Sequence, residues 1–261
     1  MDLQLTGKRA LVTGSSSGLG EAVAHALAAE GAEVVVHGRD EARTTAVAEA
    51  VRAAGGEADV AIGDLGTDGG ADAVAEAAGR VDVLVNNVGV FDMSLDWWSA
   101  TPQHWLDIYN TNVVSSVRTV QRFVPAMRER RWGRVIQVGS ITGTVPIAPQ
   151  PHYGATAAAR DNLARTLARE LRETGVTSNA IAPGGILTAT GRQRIAEYAA
   201  EHGLTGPWEE VESRYVRAAA PNDTGRLARP AEIAAAVAYL ASPVADFLTG
   251  VTLRFDGHWR A

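Results

Sequence analysis

The chain has 261 residues, of which 46% are hydrophobic, and its 24 Lys and Arg against 30 Asp and Glu give a formal net charge of -6. This composition predicts a compact fold rather than a disordered chain. No run of like charge indicates a nucleic-acid surface and no apolar run approaches membrane-spanning length, so we expect neither partner and predict a cytoplasmic protein. The absence of cysteine excludes disulfides and thiolate catalysis, and the six scattered histidines predict no metal site.

Short β-branched runs alternate with alanine-rich stretches of helical period along the whole chain. Strands are predicted at 9–13, 33–37, 59–62, 81–85, 134–138, 177–181 and 251–255. Helices are predicted at 19–30, 41–54, 70–78, 102–130, 153–173 and 230–240. The alternation is typical of a doubly wound, parallel, seven-stranded α/β sheet, so we predict one Rossmann-fold domain over 1–261. The irregular segment 184–229 follows a strand end and is predicted to be a substrate lid.

A glycine-rich turn joins the first predicted strand to the first predicted helix. Glycines at such a turn let backbone N–H groups and a helix N-terminus approach a pyrophosphate, although an ordinary tight turn is the simpler alternative. The position in the first βα unit favours dinucleotide binding. The residues predicted to contact the dinucleotide are Gly14, Ser15, Ser17, Gly18, Leu19 and Gly20.

The end of the second predicted strand carries His37-Gly38-Arg39, where an NAD-binding domain has an acidic residue for the ribose. An aspartate there would repel a 2′-phosphate, whereas a guanidinium can bind it with two hydrogen bonds. Gly38 and Arg39 therefore favour NADP(H), with NAD(H) still possible. A solvated arginine at a strand end is the alternative interpretation.

The glycine spacing resembles that of the short-chain dehydrogenase/reductase family, 3-oxoacyl reductases among them. The other matching segments, in chain order, are Asn86-Asn87-Val88-Gly89, Ser140, Tyr153, Pro183-Gly184 with Thr188, and Asp256-Gly257. The resemblance implies that the cofactor also contacts Asp64, Leu65, Asn87, Gly89, Tyr153, Pro183, Gly184, Ile186 and Thr188.

The same resemblance implies hydride transfer between a nicotinamide and a ketone or secondary alcohol. It assigns carbonyl polarisation to Ser140, proton donation to Tyr153 and a water relay to a helix distortion at Asn112. The family pattern continues as YxxxK, but Ala157 stands at the lysine position. In the family that lysine holds the nicotinamide ribose and lowers the pKa of the tyrosine, so we expect impaired turnover in this chain.

Ala157 leaves two hypotheses open. One is an engineered knockout of an enzyme, and the other is a natural non-catalytic protein that uses the dinucleotide for sensing or as a scaffold. An unassisted phenol ionises near pH ~10, so alcohol oxidation should be nearly lost and carbonyl reduction weakened. Arg160 lies two helical turns after Tyr153 and is predicted to be a surface residue.

The predicted pocket wall is largely apolar and aromatic, which suits a hydrophobic ketone or alcohol, while a sugar or an acyl-carrier thioester stays possible. Its members are Phe91, Trp97, Trp98, Ser140, Ile141, His152, Tyr153 and Gly185. The aromatic residues could equally be core or subunit contacts. The segment from Gly225 to His258 resembles the part of the family that packs between subunits, which implies a homotetramer.

Overall fold

A parallel sheet forms the centre of the molecule in the computed structural model, which describes residues 1–260. Its seven strands are β1 Arg9–Val12, β2 Glu33–Gly38, β3 Glu57–Ile62, β4 Val83–Asn86, β5 Gly133–Val138, β6 Val176–Pro183 and β7 Thr252–Phe255. They lie in the order β3-β2-β1-β4-β5-β6-β7, and every neighbouring pair is parallel. The predicted doubly wound parallel sheet is confirmed. Because the order reverses between β1 and β4, a crevice opens at their carboxyl ends.

Nine α-helices cover the two faces of the sheet and its carboxyl edge within residues 1–260. They are α1 Gly18–Ala29, α2 Glu41–Ala53, α3 Asp68–Ala78, α4 Pro102–Tyr109, α5 Ser115–Glu129, α6 Pro151–Glu170, α7 Ala189–Glu201, α8 Trp208–Ala219 and α9 Pro230–Ala241. Side-chain oxygens of Asp40, Thr67, Thr101 and Thr188 accept backbone N–H groups at the starts of α2, α3, α4 and α7. None of the described helices is both long and apolar enough to cross a bilayer.

Alternate residues of each central strand enter two separate apolar clusters. Ala10 and Val12 of β1 pack with residues of α1, α2 and α9 on one face. Leu11 packs on the opposite face with residues of α3 and α5. Burial on both faces explains why the strands are continuous apolar runs in the sequence.

The predicted helix 102–130 is interrupted at the place where the family resemblance implies a helix distortion. A five-residue π-helical segment, Asn110–Val114, separates α4 from α5. Such a segment inserts one extra residue into a helix, and the resemblance rather than the apolar periodicity indicated it. Asn112 is its central residue.

The segment between β6 and α9, predicted to be an irregular substrate lid, contains two helices, α7 and α8. Both helices share a small apolar cluster that includes Leu187, Ile195 and Val216. The buried Glu212 of α8 accepts a 2.8 Å hydrogen bond from Arg229, just before α9. This ion pair holds the segment over the carboxyl edge of the sheet.

Candidate active site

A cleft of about 690 Å³ lies at the carboxyl ends of the strands, between the glycine-rich turn, α6 and the α7–α8 segment. It brings together most of the residues predicted from the sequence. On the dinucleotide side it is lined by Gly14, Ser17, Gly18, Leu19, Gly20, Gly38, Arg39, Asp64, Leu65, Asn87, Gly89, Pro183, Gly184, Ile186 and Thr188. On the substrate side it is lined by Phe91, Asn112, Ser140, Ile141, Tyr153, Ala157 and Gly185.

The glycine-rich turn packs so closely against its surroundings that side chains would not fit. Gly14 and Gly18 both have φ of +64°, a conformation that L side chains rarely adopt. A Cβ on Gly20 would lie 2.4 Å from the Gly14 carbonyl oxygen and 2.6 Å from Asn87 Nδ2. Asn87 Nδ2 donates to the carbonyl of Thr13 at 2.9 Å, which ties the turn to the end of β4. The exposed backbone is therefore a cradle that a pyrophosphate can approach.

The corner at the end of β2 fits a ribose that carries a phosphate. A Cβ on Gly38 would lie 2.2 Å from Thr44 Oγ1, so this position has no room for an acidic side chain. Arg39 and Arg43 both line the cleft here. The Asp40 carboxylate accepts the Arg43 backbone N–H at 3.0 Å and caps α2. Arg39 therefore lies at this corner together with Arg43, whose guanidinium Nε is 4.0 Å from the Asp40 carboxylate.

His37 supports the cradle from behind, and the sequence analysis did not assign it this role. Its Nδ1 accepts the Gly14 N–H at 2.9 Å, while Nε2 lies 3.1 Å from the Gly63 carbonyl oxygen. Burial lowers the pKa of His37 to about 4, so the ring is neutral at physiological pH. A strand-end histidine gives no sequence signal for such a role.

Ser15 does not reach the cleft, contrary to the expectation that it contacts the cofactor. Its hydroxyl donates to the Val12 carbonyl at 2.7 Å and accepts the His37 N–H at 2.9 Å, and the side chain is fully buried. Ser16 lines the cleft in its place. The spacing of the glycines predicts the turn, but it does not predict which serine side chain points into the cleft.

The three polar residues predicted for catalysis lie on three different elements. Asn112, in the π segment, holds both backbone groups of Val90, at 2.8 Å and 2.9 Å, and donates to Thr156 Oγ1 at 3.2 Å. Ser140 follows β5, and Tyr153 is in the first turn of α6 with its ring 5.7 Å from that of Phe91. All three line one cleft. Asn112 thereby joins the segment after β4 to α6.

The Ser140 hydroxyl is oriented by its neighbour. Its oxygen accepts hydrogen bonds from the backbone N–H of Thr142 at 3.3 Å and from the Thr142 hydroxyl at 3.0 Å. Either hydroxyl of this pair can donate to the other, and when Thr142 donates, the hydroxyl hydrogen of Ser140 can be given to a ligand.

Arg160 is buried, so the prediction of a surface arginine is wrong. Only 4% of the residue is exposed, and it lines the cleft with Tyr153 and Ala157. Its guanidinium donates to the backbone carbonyls of Val88, Asn112 and Val138. The helical rise between residues 153 and 160 is roughly 10 Å, which suggested that the two side chains are far apart. Helical side chains point back toward the N-terminus, however, so Arg160 reaches toward the turn that carries Tyr153.

Three residues predicted for the substrate wall lie beside the cleft rather than in its lining. Trp98 is 94% exposed, and the Trp97 ring packs 5.6 Å from Trp105. Trp105 in turn lies 5.9 Å from the buried His152, so these aromatic residues pack with each other. These residues are close to site residues in the sequence, but sequence position does not determine whether a side chain points into the cleft. Residues of the cleft lining that the sequence analysis missed include Met93, Gln150, Arg194 and Tyr215.

Comparison with known proteins gives a consistent result over nearly the whole chain. A family model described as short chain dehydrogenase matches residues 8–199. An uncharacterized oxidoreductase of Bacillus subtilis is 36% identical over 260 residues, which cover 98% of this chain and 97% of the relative. The 3-oxoacyl-[acyl-carrier-protein] reductase of Escherichia coli is 34% identical over 256 residues, with 98% of each chain covered.

Two solved structures with bound cofactor have the same fold. L-sorbose reductase from Gluconobacter frateurii, complexed with NADPH and L-sorbose, gives a TM-score of 0.91 at 32% identity, with 99% of this chain and 98% of that chain covered. The NADP-bound 3-oxoacyl (acyl-carrier-protein) reductase from Agrobacterium tumefaciens gives 0.88 at 36% identity, with 98% and 96% covered.

Proposed function

The chain belongs to the short-chain dehydrogenase/reductase family, and on that premise we propose that it is an NADP(H)-dependent oxidoreductase acting on a small ketone or secondary alcohol. The observation that carries the proposal is the single cleft that holds the glycine cradle at one end and Ser140 with Tyr153 at the other. A hydride donor and a proton donor must meet at one carbon–oxygen bond, and this cleft has a place for both.

The preference for NADP(H) is supported by the corner at the end of β2. Gly38 leaves no room for an acid, while Arg39 and Arg43 offer two guanidinium groups to a 2′-phosphate. The cradle of Gly14 and Gly20 would hold the pyrophosphate. When bound, the cofactor supplies or accepts the hydride.

The residues at the other end would position the substrate oxygen. Ser140 can donate its hydroxyl hydrogen to that oxygen while it accepts hydrogen bonds from the N–H and hydroxyl of Thr142. The Tyr153 phenol can then give the proton in reduction and receive it in oxidation. Such acid–base help contributes about 10²- to 10⁴-fold to a rate.

The substrate itself stays open within the class of small carbonyl and alcohol compounds. The lining combines Phe91 and Ile141 with polar groups at Gln150 and Arg194. The relatives named above act on a sugar and on acyl-carrier thioesters, so both classes belong in a test panel beside hydrophobic ketones. The resemblance also supports a cytoplasmic homotetramer, which light scattering would contradict by showing a monomer.

An alternative proposal follows from Ala157. If no cation assists Tyr153, the chain is weakened or inactive, whether by engineering or by natural loss, and a dinucleotide sensor or scaffold is what remains. An alanine at this position offers only a methyl group to the cleft.

The proposal is tested by following NADPH consumption with the ketone panel in the unmodified chain and in Tyr153→Phe. We expect the phenylalanine variant to lose about 10²- to 10⁴-fold in kcat while NADPH binding, followed by fluorescence, is kept. Tyr198→Phe, which removes a hydroxyl from α7 outside the cleft lining, is the control and should leave kcat unchanged.

If both the unmodified chain and Ala157→Lys bind NADPH but reduce none of the ketones, the proposed oxidoreductase function is wrong and the sensor or scaffold role is favoured instead.

A further inference from the structure

One buried cation in the cleft has no carboxylate partner within residues 1–260. Arg160 has its guanidinium bonded only to the neutral carbonyls of Val88, Asn112 and Val138. No aspartate or glutamate oxygen of the described residues lies within salt-bridge distance of it. By contrast, the buried Glu212 is matched by Arg229. Burying a charge costs folding free energy unless the charge is paired, so we expect the unpaired Arg160 charge to have a function in the cleft.

The three carbonyls fix where this charge lies. Val88 follows β4, Val138 ends β5, and Asn112 belongs to the π segment. All three residues line the same cleft as Tyr153 and Ala157, and a Cβ on Gly89 would lie 3.7 Å from Arg160 Nη1. Three of the five guanidinium N–H groups are used by the carbonyls, so two are left for other partners. The charge is thus held at one place by the backbone.

The guanidinium is positive under physiological conditions. Burial lowers the pKa of Arg160 to about 10, and the neighbouring Tyr153 phenol acts in the opposite direction. The other charged or titratable side chains that line this end of the cleft are Arg194 of α7 and Tyr215 of α8, and the buried Asp161 of α6 lies behind Gly139 of the lining. Arg194 lies over the Phe91 ring, 4.7 Å from its centroid, and is half-buried. Solvent screens its charge more than it screens that of Arg160.

We propose that Arg160 is a positioning residue that stabilises the Tyr153 phenolate from two helical turns away, in place of a cation at residue 157. The inference rests on the oxidoreductase function proposed above. In reduction, the Tyr153 O–H bond breaks and its proton goes to the substrate oxygen, leaving a phenolate that a proton from water later restores. A fixed positive charge nearby lowers the free energy of that phenolate.

The proposal also gives Ala157 a structural meaning. Ala157 lies one turn after Tyr153, between that residue and Arg160, and is buried. Its methyl group lines the cleft together with Arg160. Ala157 and Arg160 are then two halves of one arrangement, and Ala157 alone does not show that the cation is absent.

The test is the ionisation of the phenol in the free protein, which requires neither cofactor nor substrate. The phenolate absorbance is followed against pH, and the contribution of Tyr153 is isolated by subtracting the curve of the matching Tyr153→Phe protein. In Arg160→Met we expect the midpoint to move to higher pH by one unit or more. Each unit is a tenfold loss of phenolate at neutral pH. The pH–rate profile of alcohol oxidation should shift in the same direction and by a similar amount.

Two variants separate this electrostatic role from support of the fold. Arg160→Lys keeps a charge and should keep the midpoint within about half a unit, whereas Arg160→Gln keeps an N–H donor for the carbonyls and should raise it. Arg194→Met, which removes the other cation of this end, should leave the midpoint in place. Ala157→Lys combined with Arg160→Met should restore it.

An unchanged midpoint in folded Arg160→Met or Arg160→Gln would overturn the inference, as would a shift caused by Arg194→Met alone. If the midpoint moves but no ketone is reduced by the unmodified chain, the proposed function fails while the electrostatic link stands. The two failures are therefore distinguishable.

Discussion

The dinucleotide cradle and the proton-transfer end of the cleft are built in different ways. The cradle consists of backbone, and glycines such as Gly14 and Gly20 are needed because side chains would collide. The other end depends on side chains that converge from separate elements. Asn112 comes from the π segment, Ser140 follows β5, and Tyr153 and Arg160 both project from α6. A backbone site tolerates almost no added atom, whereas a side-chain site can obtain the same charge from a different position. The difference determines what substitutions should do to each.

The largest effect in the cradle is expected from Gly20→Ala, which would break it. The added methyl group would lie 2.4 Å from the Gly14 carbonyl oxygen, so α1 or the turn has to move. Such overpacking costs about 1 to 3 kcal/mol of folding stability, and if the displaced cradle loses a similar free energy of binding, NADPH affinity falls by roughly fivefold to 150-fold. Fluorescence titration with NADPH measures it.

Gly69→Ala is the matched control for this glycine substitution. Gly69 lies in α3, and a Cβ there would have no neighbour within 4 Å. Alanine favours a helix more than glycine does, so we expect unchanged affinity and no loss of stability. Equal affinities of the Gly20→Ala protein and the unmodified chain would show that the cradle has more room than the structure indicates.

A smaller effect is expected at the one part of the cradle that depends on side chains. Arg39→Met should lower NADPH affinity about tenfold and change NADH affinity little, because only NADPH carries a ribose 2′-phosphate to pair with the guanidinium at this corner. Arg43→Met should have a weaker effect, since Arg39 would still be present. NADH bound as tightly as NADPH by the unmodified chain would remove the proposed preference.

The same contrast explains what the sequence could and could not predict. The sheet, its parallel strands and the cradle follow from periodicity and from glycine spacing, because both are properties of the backbone. The position of Arg160, the inward turn of Ser15 and the outward turn of Trp98 depend on side-chain direction, which spacing does not contain. The two helices over the cleft carry Arg194 and Tyr215 there from a segment with no recognisable motif.

The smallest effect is expected from Asp161, a second buried ionisable residue of α6 beside Arg160 at the side-chain end of the cleft. Asp161 is 3% exposed, and neither carboxylate oxygen has a hydrogen-bond partner in the described structure. Burial raises the pKa of Asp161 to about 6, and the charge of Arg165 opposes this. Because the pKa is raised in the folded state, the ionised carboxylate destabilises the fold. The destabilisation develops as the pH rises from about 4, the ordinary pKa of an aspartate, to about 6, the pKa in the folded protein, and is fully present above about pH 6.

Asp161→Asn should therefore stabilise the protein at pH 8 by about 1 to 2 kcal/mol, after allowance for solvent screening, and leave it almost unchanged at pH 4. Thermal unfolding at both pH values measures the difference. Glu76→Gln, an exposed acid of α3, is the control and should show no such dependence on pH. A gain at pH 4 equal to that at pH 8 would mean that the charge of Asp161 is not the cause.

Gly38 has a consequence for redesigning the cofactor preference of this protein. Thr44 Oγ1 lies 2.2 Å from the place that a Cβ at this position would take, so an aspartate introduced here would force the buried Thr44 side chain out of its hydrogen bond to the Asp40 carbonyl. An NADH-preferring variant would have to be built from the next residue onward, starting with Arg39→Asp and a neutral residue at Arg43. Enlarging Gly38 would sacrifice the packing of α2 before it changed the choice of cofactor.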